Sequence, residues 1–187
     1  NFSVLALGQQ AIQEHAHALA QASVERDAAP LAGHEQALAE LKTLINQPST
    51  ATDTPVQLAR RLSAAFFLIG YSPLRWQEED DRLIVVRGES EVAIQVRPAA
   101  KQSLSVTQID RLLSQLRAAK QREAYLFVLS KVSARARERA GESAVRCFDL
   151  TELNEWIPSL LSSGYRGPGG DSLNALTRLR HFIQGLS

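Results

Sequence analysis

One stretch of the chain, residues 83–97, restricts the possible folds more than any other. It contains two β-branched apolar runs on either side of an Arg-Gly-Glu-Ser turn. Apolar runs of this kind around a glycine-containing turn predict a β-hairpin. Because side chains alternate along a strand, Gln95 and Arg97 share one face of the second strand, while Ile94 and Val96 share the other.

Four consecutive acidic residues precede the first strand of this hairpin: Glu78, Glu79, Asp80 and Asp81. Carboxylates at the start of one strand, beside a polar residue and a cation on the next, can form a metal site that acts on phosphodiesters. An acidic run is also typical of a solvent-exposed turn. The residues alone leave both interpretations open.

The composition indicates an ordinary globular protein without a membrane-spanning segment. Of the 187 residues, 44% are hydrophobic and 22% are charged. No apolar run approaches the roughly 20 residues that a membrane helix needs. Cys147 is the only cysteine, which excludes an internal disulfide and a cysteine-cluster metal site and favours a cytoplasmic location. The chain lacks methionine even at its first residue, so we expect it to be part of a longer gene product.

Basic residues are concentrated in one segment of the chain. Residues 82–147 carry thirteen basic and six acidic side chains, although the net charge of the whole chain is only +1. Such a concentration predicts a face that binds a polyanion. The same residues could instead solvate the surfaces of helices, and we consider the two interpretations equally open.

The order of predicted elements indicates an α/β domain with helical additions at both ends. Residues 1–47 are predicted to form a helical hairpin, and residues 47–54 a linker. The core, residues 54–161, is predicted as α-β-β-β-α-β-α-β-α, with an antiparallel hairpin and parallel strands after it, hence a mixed sheet. A Gly-Pro-rich loop at 164–171 precedes a last amphipathic helix over residues 172–185.

This order resembles the restriction-endonuclease-like fold, also called the PD-(D/E)XK nuclease fold, and most closely its Mrr-like branch. The resemblance covers a little over half of the chain and rests on five segments in the family's order. These are the helix exit at Gly70-Tyr71, the acids before an apolar strand, the strand Val92 to Arg97 ending in Gln-x-cation, the strand Leu126 to Ser130 followed by Ser133 and an Ala-rich helix, and Phe148-Asp149-Leu150 before another helix.

The resemblance implies a set of site residues. In the family, an Asp at the head of the second strand and a Glu or Gln in the third hold a divalent metal, and a Lys two residues further on orients or activates water. Carried over, Asp81 or Asp80 takes the position of the Asp, Gln95 that of the Glu or Gln, and Arg97 that of the Lys. A guanidinium stays protonated at any working pH, so Arg97 cannot act as a base, although it can clamp a phosphate.

The departures at Gln95 and Arg97 lead us to expect a degenerate site, with Mg²⁺ needed only if the site is active. Three hypotheses about function remain. The first is a DNA-binding nuclease-fold module within a larger bacterial DNA-processing or defence assembly. The second is a protein-interaction subunit that docks through residues 1–47 and through the C-terminal helix with Leu173, Leu176 and Leu179, and the third is an active Mg²⁺-dependent deoxyribonuclease. The predicted DNA contacts are Arg111, Arg117, Lys120, Arg122, Lys131, Arg135, Arg137 and Arg139.

Overall fold

The fold is taken from a computed structural model, which describes residues 33–100, 103–119, 123–162 and 172–186. The helices and strands from residue 40 onwards belong to one compact unit, Glu40–Ser187. Most of the predicted N-terminal helical hairpin, the predicted loop at 164–171, and the predicted DNA contacts Lys120 and Arg122 lie outside the described residues. The predicted domain boundaries therefore stay predictions.

Helices and strands follow one another in the predicted order. The first described helix, α1, runs through residues 33–46. It is followed by α2 (Pro55–Leu68), β1 (Ser72–Gln77), a 3-10 turn (Glu78–Asp80), β2 (Arg82–Arg87), β3 (Ser90–Arg97), α3 (Val106–Ala118), β4 (Ala124–Val128), α4 (Ala134–Gly141), β5 (Val145–Phe148), α5 (Leu150–Ser162) and α6 (Ser172–Gly185). No helix in these described ranges is both long enough and apolar enough to cross a membrane.

The five described strands form one mixed sheet in the order β1-β2-β3-β4-β5. The first three strands are antiparallel neighbours, and β3, β4 and β5 run parallel to one another. In the hairpin, Arg87 lies opposite Ser90 and Arg82 lies opposite Gln95. Gly88 takes a φ of 63° in the turn, a conformation that glycine adopts without strain. The predicted hairpin and mixed sheet are confirmed.

Helices cover both faces of the sheet. On one face, α3 and α4 pack through Ile109, Leu112 and Ala136 onto residues of β2, β3, β4 and β5. On the other face, Phe66 of α2 makes edge-to-face contacts with Tyr125 of β4 and with Trp156 of α5. Every residue of β4 is buried, as its continuous apolar run predicts. The sheet is therefore the middle layer of a three-layer core.

Local hydrogen bonds set the starts of the helices at the predicted positions. Thr54 forms a capping box with Gln57 at the start of α2, where Pro55 is the first helical residue. Ser105 and Gln108 form the same arrangement at α3. In each capping box, side chains accept hydrogen bonds from backbone N–H groups that have no partner within the first helical turn. Four consecutive residues are therefore enough to predict where the helix starts.

The predicted linker at 47–54 is attached to the core by a buried arginine. Arg61, which is only 4% exposed, donates hydrogen bonds to the carbonyl of Ile45, to Ser49 Oγ and to Asn154 Oδ1. Asn154 also accepts from the backbone N–H of Ser49 and donates to its carbonyl. Burial lowers the pKa of Arg61, and the charge of Asp53 opposes that shift. The linker is thereby held between α2 and α5.

The C-terminal helix, α6, packs against its own chain instead of forming the predicted docking surface. Leu176 and Leu179 are buried, and α6 packs on α2 and β1 of the same chain. Arg180 of α6 also forms an ion pair with Glu40 of α1. The prediction that these two leucines contact a partner is therefore wrong, because the chain itself covers them. Docking through residues 1–47 stays a prediction.

Candidate nuclease-type site

The candidate site lies where β2 begins and β3 ends. Because β2 and β3 are antiparallel, the acidic turn before β2 lies beside the last residues of β3. The backbone N–H of Val96 donates to the carbonyl of Asp81 at 2.9 Å, which closes the turn against β3. Asp81 takes the left-handed conformation with a φ of 49°, while Glu78, Glu79 and Asp80 are exposed. The turn thus brings the four acids to the end of β3.

The amide of Gln95 is occupied at both ends by groups of the same chain. Gln95 is 3% exposed, and its Oε1 accepts a hydrogen bond from Arg82 Nε at 3.1 Å. Its Nε2 donates to the carbonyl of Asp80 and, at 3.3 Å, to that of Asp81. The oxygen that was predicted as a metal ligand therefore faces a guanidinium.

Arg82 is the central side chain of the site, and the sequence analysis did not single it out. It is the β2 residue directly opposite Gln95 and is only 7% exposed. Its Nη2 donates to Gln115 Oε1 of α3 at 3.3 Å, and its Nη1 lies 3.9 Å from the Asp80 carboxylate. Counting back from the turn at Gly88 places residue 82 opposite residue 95, so the hairpin register was the signal that could have found it.

Asp81 lies in a setting that disfavours its charged form. Burial raises its pKa above the ordinary value, and the neighbouring charges of Asp80 and Glu78 add to this shift. The positive charge of Arg97 acts in the opposite direction. The roles predicted for Asp81, Gln95 and Arg97 stay predictions, and the structure joins Gln95 to Arg82 rather than to a carboxylate.

Two of the arginines predicted to contact DNA are engaged within the protein. Arg137 contacts Glu152 at 2.6 Å and Asp149 at 3.2 Å, and Arg139 contacts Asp110 of α3 at 2.7 Å. The hydrogen bond to Glu152 raises the pKa of Arg137, and that to Asp110 raises the pKa of Arg139. These ion pairs connect α4 with α3, with α5 and with Asp149 just before α5, so the two side chains are poorly placed to bind phosphate.

Four other predicted DNA contacts are exposed and form no ion pair with any described residue. They are Arg111 and Arg117 on α3, Lys131 in the loop before α4, and Arg135 in the first turn of α4. All four belong to the α3–α4 layer, on the sheet face opposite α2 and α5. These four cations are therefore available to an external anion.

A groove of about 750 Å³ runs along the edge strand β5, away from the hairpin. Its lining includes Glu123, Arg137, Arg146 and Cys147. Burial is the main cause that raises the pKa of the Cys147 thiol to about 11. The thiol is therefore protonated at neutral pH, which disfavours a role as a nucleophile.

The comparison with protein families agrees with this arrangement of strands and helices. Residues 74–157, from β1 to the middle of α5, match the model of the Mrr catalytic domain, described as a restriction endonuclease. Residues 74–157 thus match an Mrr-like restriction-endonuclease domain. The fold class and the family predicted from the sequence are thereby confirmed. Four of the five segments on which the resemblance rests lie within the matched residues, and the fifth, the exit of α2 at Gly70-Tyr71, precedes them.

Comparison with solved structures and with curated proteins adds little beyond this family. The DNA modification-dependent restriction endonuclease AspBHI is similar to this chain at 16% identity and a TM-score of 0.44. The similarity covers 79% of this chain but only 39% of that enzyme, so the chain corresponds to well under half of its length. No curated protein matches the sequence.

Enzymes with the restriction-endonuclease fold typically use Mg²⁺, and the side chains of this Mrr-like domain do not fit that ion at Asp81 and Gln95. Mg²⁺ requires oxygen ligands in a tight octahedral arrangement. Here Gln95 Oε1 is bound by the Arg82 guanidinium, whose fixed positive charge would repel a neighbouring dication. Nor do the described residues contain a group of three His, Cys, Asp or Glu side chains able to hold a metal.

Proposed function

We propose that this Mrr-like domain is a nuclease-fold module that binds duplex DNA without cleaving it, as part of a larger bacterial DNA-processing or defence assembly. The observation that carries the non-catalytic part is the hydrogen bond between Arg82 and Gln95 in the centre of the candidate site. It leaves the Gln95 oxygen unavailable to a metal. Arg97, in the position of the family's Lys, cannot accept a proton from water.

The cations of the α3–α4 layer support the DNA-binding part. Arg111, Arg117, Lys131 and Arg135 are exposed, and such side chains bind the phosphate backbone independently of sequence. Exposed acids at the hairpin edge, Glu78–Asp80, would repel phosphate. We therefore place the DNA contact on the α3–α4 layer rather than over the candidate site.

Duplex DNA is the favoured form because stacking on aromatic rings, which single strands need, has no support in this layer. The described aromatic cluster, which includes Phe66, Tyr125 and Phe127, lies on the other face of the sheet within the core. Binding through phosphates alone depends steeply on salt, which makes the salt dependence the property to measure.

The test is the salt dependence of duplex binding by charge-reversed variants. We expect Lys131→Glu with Arg135→Glu, and separately Arg111→Glu with Arg117→Glu, to weaken binding and to flatten the slope of log K against log salt by about 1.8 for each pair of lost contacts. Arg178→Glu is the matched control, because Arg178 is equally exposed but belongs to α6, which packs on α2. An unchanged slope in both double variants would contradict DNA binding by this layer.

A second experiment tests the absence of cleavage. Supercoiled plasmid incubated with the full chain and Mg²⁺ or Mn²⁺ is expected to remain intact, because the Gln95 oxygen is bound by Arg82. Cleavage that disappears in Asp81→Asn would contradict the non-catalytic part of the proposal and would favour an active Mg²⁺-dependent deoxyribonuclease. That result would leave the DNA contact on α3 and α4 intact, since the salt experiment measures it separately.

A further inference from the structure

The two edges of the sheet differ in how well they are protected against an added strand. The β1 edge contains Pro73, which has no N–H to offer, and its pairing shifts in a bulge between Pro73 and Arg75. Helix α6 also packs on β1. At the opposite edge, β5 has neither a proline nor a bulge, and no described strand pairs with its outer side.

Backbone groups of β5 remain available to an external strand. The Ala124 N–H donates to the carbonyl of Ala144 at 3.1 Å, so the backbone groups of residues 144, 146 and 148 point towards β4. Because these groups alternate along a strand, the N–H and C=O of Val145 and Cys147 point away from the sheet. Among the described residues, none forms a backbone hydrogen bond with them. Both residues line the groove of about 750 Å³ that runs along β5.

One cation in this groove has no acidic partner among the described residues. Arg146 is exposed, and its guanidinium lies 5.7 Å from the centre of the Tyr125 ring. The other arginine of the groove, Arg137, is paired with Glu152 and Asp149. Glu123 lines the groove as well but is not within ion-pair distance of Arg146. The groove therefore offers a positive charge to an incoming segment.

We infer that β5 accepts an extended segment of a partner protein as a further antiparallel strand, and that this segment carries an acidic side chain opposite Arg146. An added strand gains affinity from backbone hydrogen bonds and specificity from alternate side chains. Opposite charges directly across two strands stabilise their pairing. The inference rests on the assembly part of the proposed function and is independent of DNA binding, which we place on the α3–α4 layer.

A second copy of this chain is a poorer occupant of the β5 edge. When two antiparallel β5 strands use the outward groups of both Val145 and Cys147, each Val145 lies opposite a Cys147. The Arg146 side chains of the two copies then lie directly opposite each other. Like charges in that position destabilise the pairing. Arg146 thus discourages self-association and favours an acidic strand.

The probe is the acetylated and amidated peptide Thr-Val-Glu-Val-Thr, added to the full chain and followed by backbone amide NMR. We expect saturable binding that slows hydrogen exchange at the N–H groups of Val145 and Cys147. Lys in place of Glu in the peptide should weaken binding about tenfold, because attraction becomes repulsion. N-methylation of both valines should abolish binding, since it removes the donors for the β5 carbonyls.

A charge swap tests the role of Arg146. Arg146→Glu should reverse the preference, so that the Lys peptide binds about tenfold more tightly than the Glu peptide. Arg178→Glu is the matched control, because Arg178 is also exposed but lies on α6, and it should keep the wild-type preference. If circular dichroism shows Arg146→Glu to be unfolded, the comparison of the two peptides on wild type decides.

Four results would overturn the inference. They are no saturable binding of the Glu peptide by wild type, equal binding of the Glu and Lys peptides, an unchanged preference in folded Arg146→Glu, and a wild-type dimer in which the same two amides are protected. An unchanged salt slope in the duplex experiment would contradict only DNA binding by the α3–α4 layer, so the failures of the two proposals are distinguishable.

Discussion

At the residue scale, neighbours across the sheet decide the chemistry of the candidate site more than residue type does. Gln95 could ligate a metal by its chemistry, yet its oxygen is taken by Arg82, the residue opposite it. Asp81 could do the same, but burial and neighbouring carboxylates disfavour its charge. A polar residue in a strand is therefore interpreted correctly only together with its cross-strand partner.

The raised pKa of Asp81 predicts a pH-dependent stability. Because the folded state holds this proton more tightly than the unfolded chain does, the free energy of unfolding falls as pH rises from the ordinary pKa of 3.8 through the raised one. Asp81→Asn cannot titrate, and asparagine tolerates a φ of 49°. We expect Asp81→Asn to be more stable than wild type at neutral pH, and the difference to shrink in acid, as measured by urea unfolding across pH.

A second substitution separates the charge of Asp81 from its backbone conformation. Asp81→Ala also removes the charge, but alanine in the left-handed conformation costs about 1 kcal/mol, so this variant should be less stable than Asp81→Asn at every pH. Glu79→Gln, in the same exposed turn, should stay within about 0.5 kcal/mol of wild type at neutral pH. A pH-independent difference between Asp81→Asn and wild type would show that burial does not disfavour the charge.

At the element scale, buried polar contacts fix segments that look mobile in the sequence. The 47–54 segment has the composition of a linker, but Arg61 and Asn154 hold it between α2 and α5. On α4, the basic helix, Arg137 and Arg139 likewise connect neighbouring elements. A polar composition thus predicts a loop or a solvated face. The contacts of individual side chains decide whether such a segment is held in place.

Arg61→Ala tests the attachment of the linker. The substitution removes the guanidinium donor shared by the Ile45 carbonyl, Ser49 Oγ and Asn154 Oδ1, so we expect a loss of about 3 kcal/mol in the free energy of unfolding. Thermal unfolding should shift down by about 6–12 °C for a chain of this size. Arg178→Ala, which removes an exposed arginine, should change stability by less than about 0.5 kcal/mol. Equal effects of the two substitutions would argue against a structural role for Arg61.

At the scale of the whole molecule, one aromatic cluster joins the sheet to the helices on one of its faces. Phe66 is fully buried, and its ring contacts Tyr71, Tyr125, Phe127 and Trp156. These rings come from α2, β4, α5 and the segment between α2 and β1. Edge-to-face contacts of this kind add to the free energy gained by burying the rings. Cooperative unfolding of α2, α5 and the sheet should therefore depend on Phe66.

Phe66→Ala should destabilise the fold by about 3–5 kcal/mol, because it leaves a cavity at the centre of this cluster. Chemical denaturation followed by tryptophan fluorescence measures the effect, since Trp156 contacts the ring. Leu74→Ala is the control, as Leu74 is a large apolar residue that is 45% exposed, and it should stay within about 0.5 kcal/mol of wild type. A loss no larger than that of Leu74→Ala would place the main core elsewhere.

The sequence by itself determined the hairpin, the buried strand β4, the capped starts of α2 and α3, and the family. Each of these depends on the alternation of side chains or on backbone hydrogen bonds among a few consecutive residues. Only the tertiary structure decided the partner of Gln95, the pairing of Arg139 with Asp110 and the covering of Leu176 and Leu179. Those features join elements that are distant in sequence, and the energy of a charge depends on which side chains surround it in space.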